Sequence, residues 1–424
     1  MTSLQFSFDG WIESALEDEA ESATLTRLVI QIGDETLTEN VSRLGGGIRR
    51  SINVSVSPLA GTSDVAFVKR HQLDGAMDGF VFPELSIFSA GSEALYVSRS
   101  RSQPPFSDVD FLVRPAEAPS AVDRSLTEDA LVEIVQTTLR RLPAHGPAYH
   151  DLSRAWERVC QSIEHQDELG YCRAAGRLGI DPYDPDGPDL TRFGEQLEAG
   201  LFEDVTDAAI IEELDETTAW ARDMEGRLRE MPQIDLGVFG ACPPDDLSRS
   251  AGLVGADAAG LVRTRNGWDI REPRRSLELA LGDILPADRA MAQSGPWSLR
   301  ALVLRTGDTA RVGTVAGTAR EQRFRACTAA YIAWTSQADE SRAATPAITR
   351  RQQAGRAFAA ELLAPREYLR GLALERPAGL TSDDIERIAG DLICPSEAVT
   401  WQAWRARIPL RGSTLVTGRQ VTFG

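Results

Sequence analysis

Two stretches decide how this chain reads: Arg323-Phe324-Arg325-Ala326-Cys327-Thr328-Ala329-Ala330-Tyr331-Ile332-Ala333-Trp334 and, further on, Gln352-Gln353-Ala354-Gly355-Arg356-Ala357-Phe358-Ala359-Ala360-Glu361-Leu362-Leu363-Ala364-Pro365. The first is apolar around most of its circumference, which predicts a buried helix over 319–336. The second predicts a helix over 349–374. Ahead of both, Leu299, Ala301 and Val303 alternate up to Thr306-Gly307-Asp308, and Ala310, Val312 and Val315 continue beyond it, as in a β-hairpin. Behind them the spacing predicts a helix over 382–392.

Residues 1–115 read as β-rich. Leu28, Ile30 and Ile32 alternate with other residues, as do Ile52, Val54 and Val56, and Phe80, Phe82, Leu85, Ile87, Leu95 and Val97 continue the pattern. Ser102–Ala121, rich in Pro and Ser, reads as a linker, after which Leu126, Leu131, Ile134, Val135 and Leu139 take a helical period. Two breakers interrupt the helices that follow: the turn-rich run Asp181–Pro188 and the glycine-rich region Gly237–Gly260. The expected class is α+β, with a β-rich domain over 1–115, a mainly helical one over 122–260 and a C-terminal one over 261–424.

The 424 residues carry 63 acidic and 45 basic side chains, a net charge of −18, with 42% hydrophobic content, the balance of a folded protein of two or three domains. Lys69 is the only lysine, so arginine use reads as genomic base composition rather than chemistry. Charge is unevenly spread: residues 297–424 hold 18 Arg against 12 acidic residues, a net of +6, which leaves −24 on the remainder. The two parts are expected to attract, and the basic one could neutralise phosphates. Residues 1–21 are acidic and lack an apolar leader, and no apolar run is long enough for a membrane span. Five scattered cysteines (Cys160, Cys172, Cys242, Cys327, Cys394) contain no CxxC. A cytoplasmic protein with no membrane partner is the expectation.

Most catalytic patterns are missing. The four histidines, His71, His145, His150 and His165, include no pair four residues apart. A calcium loop around Asp184 and Asp186 would need ligands where Pro182 and Phe193 stand. Gly45-Gly46-Gly47 lacks the Lys and Ser/Thr of a phosphate loop, and neither GxSxG nor GxGxxG occurs. Cys327 falls in the buried helix without a neighbouring histidine, which marks a core cysteine. No cofactor is expected.

The two opening stretches resemble the ImmA/IrrE family of zincin-like metallopeptidases. In that family a hairpin precedes an Arg-Phe pair that leads into a helix carrying HExxH, and a later helix ends in the pattern seen at Phe358-Ala359-Ala360-Glu361-Leu362-Leu363-Ala364-Pro365. The Asp384–Leu392 and Pro395–Arg407 segments resemble the family's helix-turn-helix-like end, which implies a helix over 401–407. The likeness covers about 296–410. HExxH places two imidazoles one turn apart to hold Zn²⁺, with the Glu positioned to deprotonate the bound water. Here those five positions read Thr328-Ala329-Ala330-Tyr331-Ile332, and Gln352-Gln353 stand where the third ligand is expected.

The resemblance therefore implies a zincin-like fold without its zinc chemistry: a pseudo-peptidase acting through another protein in bacterial stress response, mobile-element control or antiphage defence. A partner groove is expected along Arg323, Phe324, Tyr331 and Phe358. A second expectation is a DNA-associated regulator whose Arg405, Arg407 and Arg411 meet phosphates. A third is an active hydrolase with an unrecognised metal site.

Overall fold

The computed structural model describes residues 4–11, 25–32, 35–42, 85–89, 94–99, 109–113, 120–141, 150–180, 182–183 and, apart from 232, 243–244, 247–248, 282–294, 297, 348 and 377, residues 187–411. The fold is mixed, with helices and small sheets. It divides into two compact units, residues 1–187 and 188–424.

The first unit opens with antiparallel strands β1 (Leu4–Trp11), β2 (Leu25–Ile32) and β3 (Glu35–Ser42). Strands β4 (Leu85–Ser89), β5 (Ala94–Arg99), β6 (Val109–Val113) and β7 (Ser120–Asp123) complete two sheets, ordered β1-β2-β3-β6 and β4-β5-β7. Leu4, Ile30, Ile32 and Leu85 are buried, as alternating apolar residues on one face require. The alternation at Ile52–Val56 lies outside the described residues. The stretch expected as a linker instead contributes β6 and β7, which satisfy their backbone groups against β3 and β5. Helices α1 (Arg124–Arg141), α2 (His150–Glu164) and α3 (Gln166–Leu178) follow. Because α1 packs on β1, β5 and β7, the chain does not part near residue 115.

The division falls instead within the Asp181–Pro188 turn. Beyond it lie α4 (Leu190–Gly194), α5 (Ala199–Ala208), α6 (Leu214–Leu228), strand β8 (Ile234–Asp235) and α7 (Ala251–Arg265). The last is a correction. Its Gly252, Gly255 and Gly260 were expected to break structure, yet they lie in a regular helix. Gly255 explains the reversal: a β-carbon there would stand 2.0 Å from the Ala354 carbonyl oxygen, so the glycine allows two helices to touch backbone to backbone.

The hairpin forms where expected, as β9 (Ala301–Thr306) and β10 (Thr309–Thr314), with Gly307 at φ 57° in the turn. β10 also pairs with β8, and β9 with β11 (Ser341–Ala344), giving the antiparallel order β11-β9-β10-β8. Helix α8 (Pro273–Leu281) precedes the hairpin, and α9 (Ala319–Thr335) lies across β9, β10 and β11. The helix expected over 349–374 is two, α10 (Arg350–Leu363) and α11 (Arg366–Leu374). Pro365 lacks an N–H and forces Ala364 out of helical geometry, at φ −128°, ψ 75°. The chain ends in α12 (Ser382–Leu392) and α13 (Ser396–Arg405), joined by three residues, with short parallel strands β12 (Leu380–Thr381) and β13 (Leu410–Arg411). The last helix starts five residues before the expected Trp401, directly after Pro395. Among the described residues no helix is long and apolar enough to cross a membrane.

Candidate functional site

Helix α9 is held at both ends by side chains. Thr318 and Glu321 form a capping box at its start: Thr318 Oγ1 accepts from the Glu321 N–H at 3.3 Å, and Glu321 Oε2 accepts from the Thr318 N–H at 2.8 Å. That second bond holds the Glu321 carboxyl below its ordinary pKa. At the far end the Arg305 guanidinium donates to the carbonyls of Ala333, Trp334 and Ser336, and the Ala333 carbonyl also accepts from the Ser336 N–H at 3.2 Å. Between these ends every residue from Ala326 to Trp334 is buried.

The positions where the resemblance places zinc ligands are all engaged elsewhere. Thr328 Oγ1 donates to the Phe324 carbonyl at 3.0 Å, and Ala329 and Ile332 are 0% exposed. Gln352 spends both ends of its amide on backbone: Oε1 accepts from Thr345 N–H at 2.8 Å and Nε2 donates to Ala343 O at 2.7 Å. Gln353 is buried beside it in α10. There is also no room. A β-carbon on Gly355 would sit 3.2 Å from Thr328 Cγ2 and 3.5 Å from the Tyr331 ring, so α9 and α10 already touch. Zinc requires several nitrogen, sulfur or carboxylate donors at about 2.0–2.3 Å. A committed hydroxyl, a committed amide, a methyl and a sec-butyl group do not fit it. Among the described residues no group of three His, Cys, Asp or Glu converges.

The expected partner groove is closed, which corrects its reading as a surface. Tyr331 and Phe358 do meet, with ring centroids 5.1 Å apart, but they are 5% and 0% exposed and pack with Phe239 and Trp334 in the core. Burial pushes the Tyr331 phenol far above its ordinary range. Phe324 is half-buried against the same core. Arg323 is buried: its Nη1 reaches Glu278 at 3.2 Å, while Nε and Nη2 have no acceptor among the described residues. Its charge lies near two core thiols, Cys327 and Cys394, whose burial pushes both up to about 12, so neither is a nucleophile at neutral pH.

The outer edge of β11 is where an added strand would have to pair. It is occupied by side chains of the same unit. Ser341 N–H donates to Glu198 at 2.9 Å and Ala343 N–H to Asp204 at 2.9 Å, while Gln352 and Arg356 take the Ala343 and Thr345 carbonyls. A sheet edge satisfied in this way does not recruit a peptide strand. Arg342 reinforces the seal through Glu340 at 2.6 Å and Glu203 at 3.1 Å. Burial raises the Asp204 carboxyl above its usual range, against the opposing pull of Arg342. A carboxyl raised in the folded state contributes stability below its unfolded pKa of about 4, and loses it as pH climbs through the folded value. Asp204→Asn keeps an acceptor for Ala343, so its denaturation midpoint should fall less than that of the parent as pH rises from about 4. Identical slopes for the two chains would refute this.

The residue the motif pattern passed over is Glu361. Its buried carboxylate accepts from Arg263 Nη2, Arg366 Nε and Gln402 Nε2, each at 2.8 Å, and so joins α7, α10, α11 and α13. The Phe-Ala-Ala-Glu-Leu-Leu run signals such a carboxylate, but its partners lie 98 and 41 residues away and leave no mark in local spacing. Arg350 does the same for the 245–249 segment: its Nε donates to both Asp245 carboxylate oxygens at 2.8 Å, Nη2 lies 2.6 Å from Oδ1, and the guanidinium also donates to the Asp246 and Arg249 carbonyls.

The three arginines expected on phosphate do not act as one set. Arg405 lies 4.6 Å over the Trp401 ring and is half-buried, its pKa held down by burial. Arg407 and Arg411 are exposed beyond it. No protein-family model, curated protein or solved structure matches the chain.

Proposed function

We propose that this protein is a catalytically inactive, zincin-like member of the ImmA/IrrE family that works as a protein-binding regulatory module in a bacterial stress, mobile-element or antiphage setting. What supports the fold is the order hairpin, buried helix, later helix, which is the order the resemblance implies; the structure adds the strand β11 between the two helices. The observation that carries the absence of chemistry is the commitment of Thr328 and Gln352 to backbone partners, with Ala329 and Ile332 buried between them. A scaffold that keeps its packing after giving up its reactive groups retains only its surface to act with.

The test is metal analysis of the purified full-length chain together with a proteolysis assay on unfolded protein. The expected result is substoichiometric zinc and no hydrolysis that a chelator abolishes. Stoichiometric zinc, lost together with peptidase activity on chelation, would overturn the reading in favour of an active hydrolase. The DNA-binding reading has weaker support, because Arg405 is spent on Trp401. Duplex binding that falls steeply with salt would favour it.

A further inference from the structure

A groove of about 910 Å³ runs along α11, between the 270–271 segment and the chain at 407–409. Its floor is Tyr368, Leu372, Ile408 and Pro409, and Leu374 at its rim is 85% exposed. Around it stand Arg271, Arg370 and Arg407, exposed, their guanidiniums in no ion pair with a carboxylate among the described residues, although the Arg271 backbone N–H donates to Asp269 at 2.8 Å. Arg376, on the same wall, is already tied to Asp384 at 3.1 Å. The walls are firmly placed: at Gly379, φ 94°, a β-carbon would stand 2.3 Å from the Pro409 carbonyl oxygen, so the two segments are in backbone contact.

Arg407 is placed at some cost. It occupies the left-handed position, φ 59°, that ends α13, with Ile408 N–H bonded to Ala403 O at 2.9 Å. Glycine is the residue this position favours. Here the chain carries a guanidinium at the groove mouth instead.

We propose that this groove, rather than the closed cleft between α9 and α10, is where the regulatory partner docks, and that the docking element is an acidic peptide segment with an apolar anchor. The proposal rests on the protein-binding reading above and names its site. Unpaired guanidiniums around an apolar floor complement carboxylates flanking a Leu or Phe side chain. Glu367 and Glu375 line the same groove, so an occupant must set its negative groups at Arg271, Arg370 and Arg407 and away from these two, which separate carboxylates on a peptide can do and a continuous phosphate backbone cannot.

The experiment displays a library of short random peptides to the immobilised full-length chain and to its Arg370→Glu/Arg407→Glu variant, with a short DNA duplex as a separate probe. Recovered peptides should carry Asp or Glu beside a large apolar residue, and retention should fall about tenfold or more on the variant, as for a lost charge-assisted contact. Arg407→Gly should weaken retention without lowering the thermal midpoint, since glycine suits that backbone; this separates lost contact from lost fold. Peptides without net negative charge, equal retention by both chains, or tighter hold on the duplex at physiological salt would each overturn the groove. If a protein co-purifying with the parent stays bound to the double variant, the groove fails while the protein-binding reading stands.

Discussion

Glu361→Ala should cost the fold about 3–5 kcal/mol, the effect of removing one partner from a buried ion pair. Against a total stability of about 5–15 kcal/mol, that is a large share. The carboxylate holds Arg263 and Arg366, whose side chains are 12% and 23% exposed, and it is the acceptor for the buried Gln402 amide. Alanine leaves two guanidiniums without their counter-charge and one amide without its acceptor. Four helices meet there, so the loss cannot be absorbed by moving a single loop. Glu361→Gln keeps the volume and one acceptor oxygen, and should cost about 1.5–3 kcal/mol, the scale of hydrogen bonds to charged groups. Urea denaturation of the full-length chain, followed by tryptophan fluorescence, reads both. A midpoint for the alanine variant within scatter of the parent would mean that the hub is dispensable.

Local pattern carried most of the elements and little of what joins them. The hairpin turn was legible because Thr306-Gly307-Asp308 holds a residue suited to positive φ between two alternating runs. Pro365 was present in the sequence, but its break was hidden by the apolar residues that continue on both sides of it. The glycines of α7 gave the opposite error, because an isolated glycine signals either a break or a close helix contact, and only Ala354, 99 residues on, distinguishes them. The same limit applied at the site. The residues at the positions where the resemblance would place zinc ligands could be read one by one, yet burial of Tyr331 and Phe358 against each other could not, since each alone suits a groove wall as well as a core. The seal on β11 was invisible for a similar reason: Glu198 and Asp204 reach it from more than 100 residues away.

Installing the metallopeptidase motif should therefore unfold this helix pair rather than create a metal site. Ala329→Glu places a carboxylate at a position with no exposure, on the helix that crosses β9, β10 and β11. An uncompensated charge there costs several kcal/mol and overpacking adds about 1–3 more, which for a unit of this size lowers the thermal midpoint by about 10 °C or beyond. Adding Thr328→His and Ile332→His brings two imidazoles into the same interior, where α10 approaches so closely that Gly355 has no space for a methyl group without displacing Thr328. The third donor is also missing, because Gln352 would have to release both Thr345 and Ala343 to turn toward a metal. The triple variant is expected to lose its cooperative thermal transition and to bind zinc below stoichiometry by metal analysis after dialysis. A folded triple variant with one tightly held zinc would mean that α9 and α10 can separate by several ångströms at little cost, and the cleft would then have to be regarded as merely closed instead of filled. The backbone contact of α7 with α10 at Gly255 argues against such freedom, because α10 is pinned on that side and cannot retreat from α9 without breaking it.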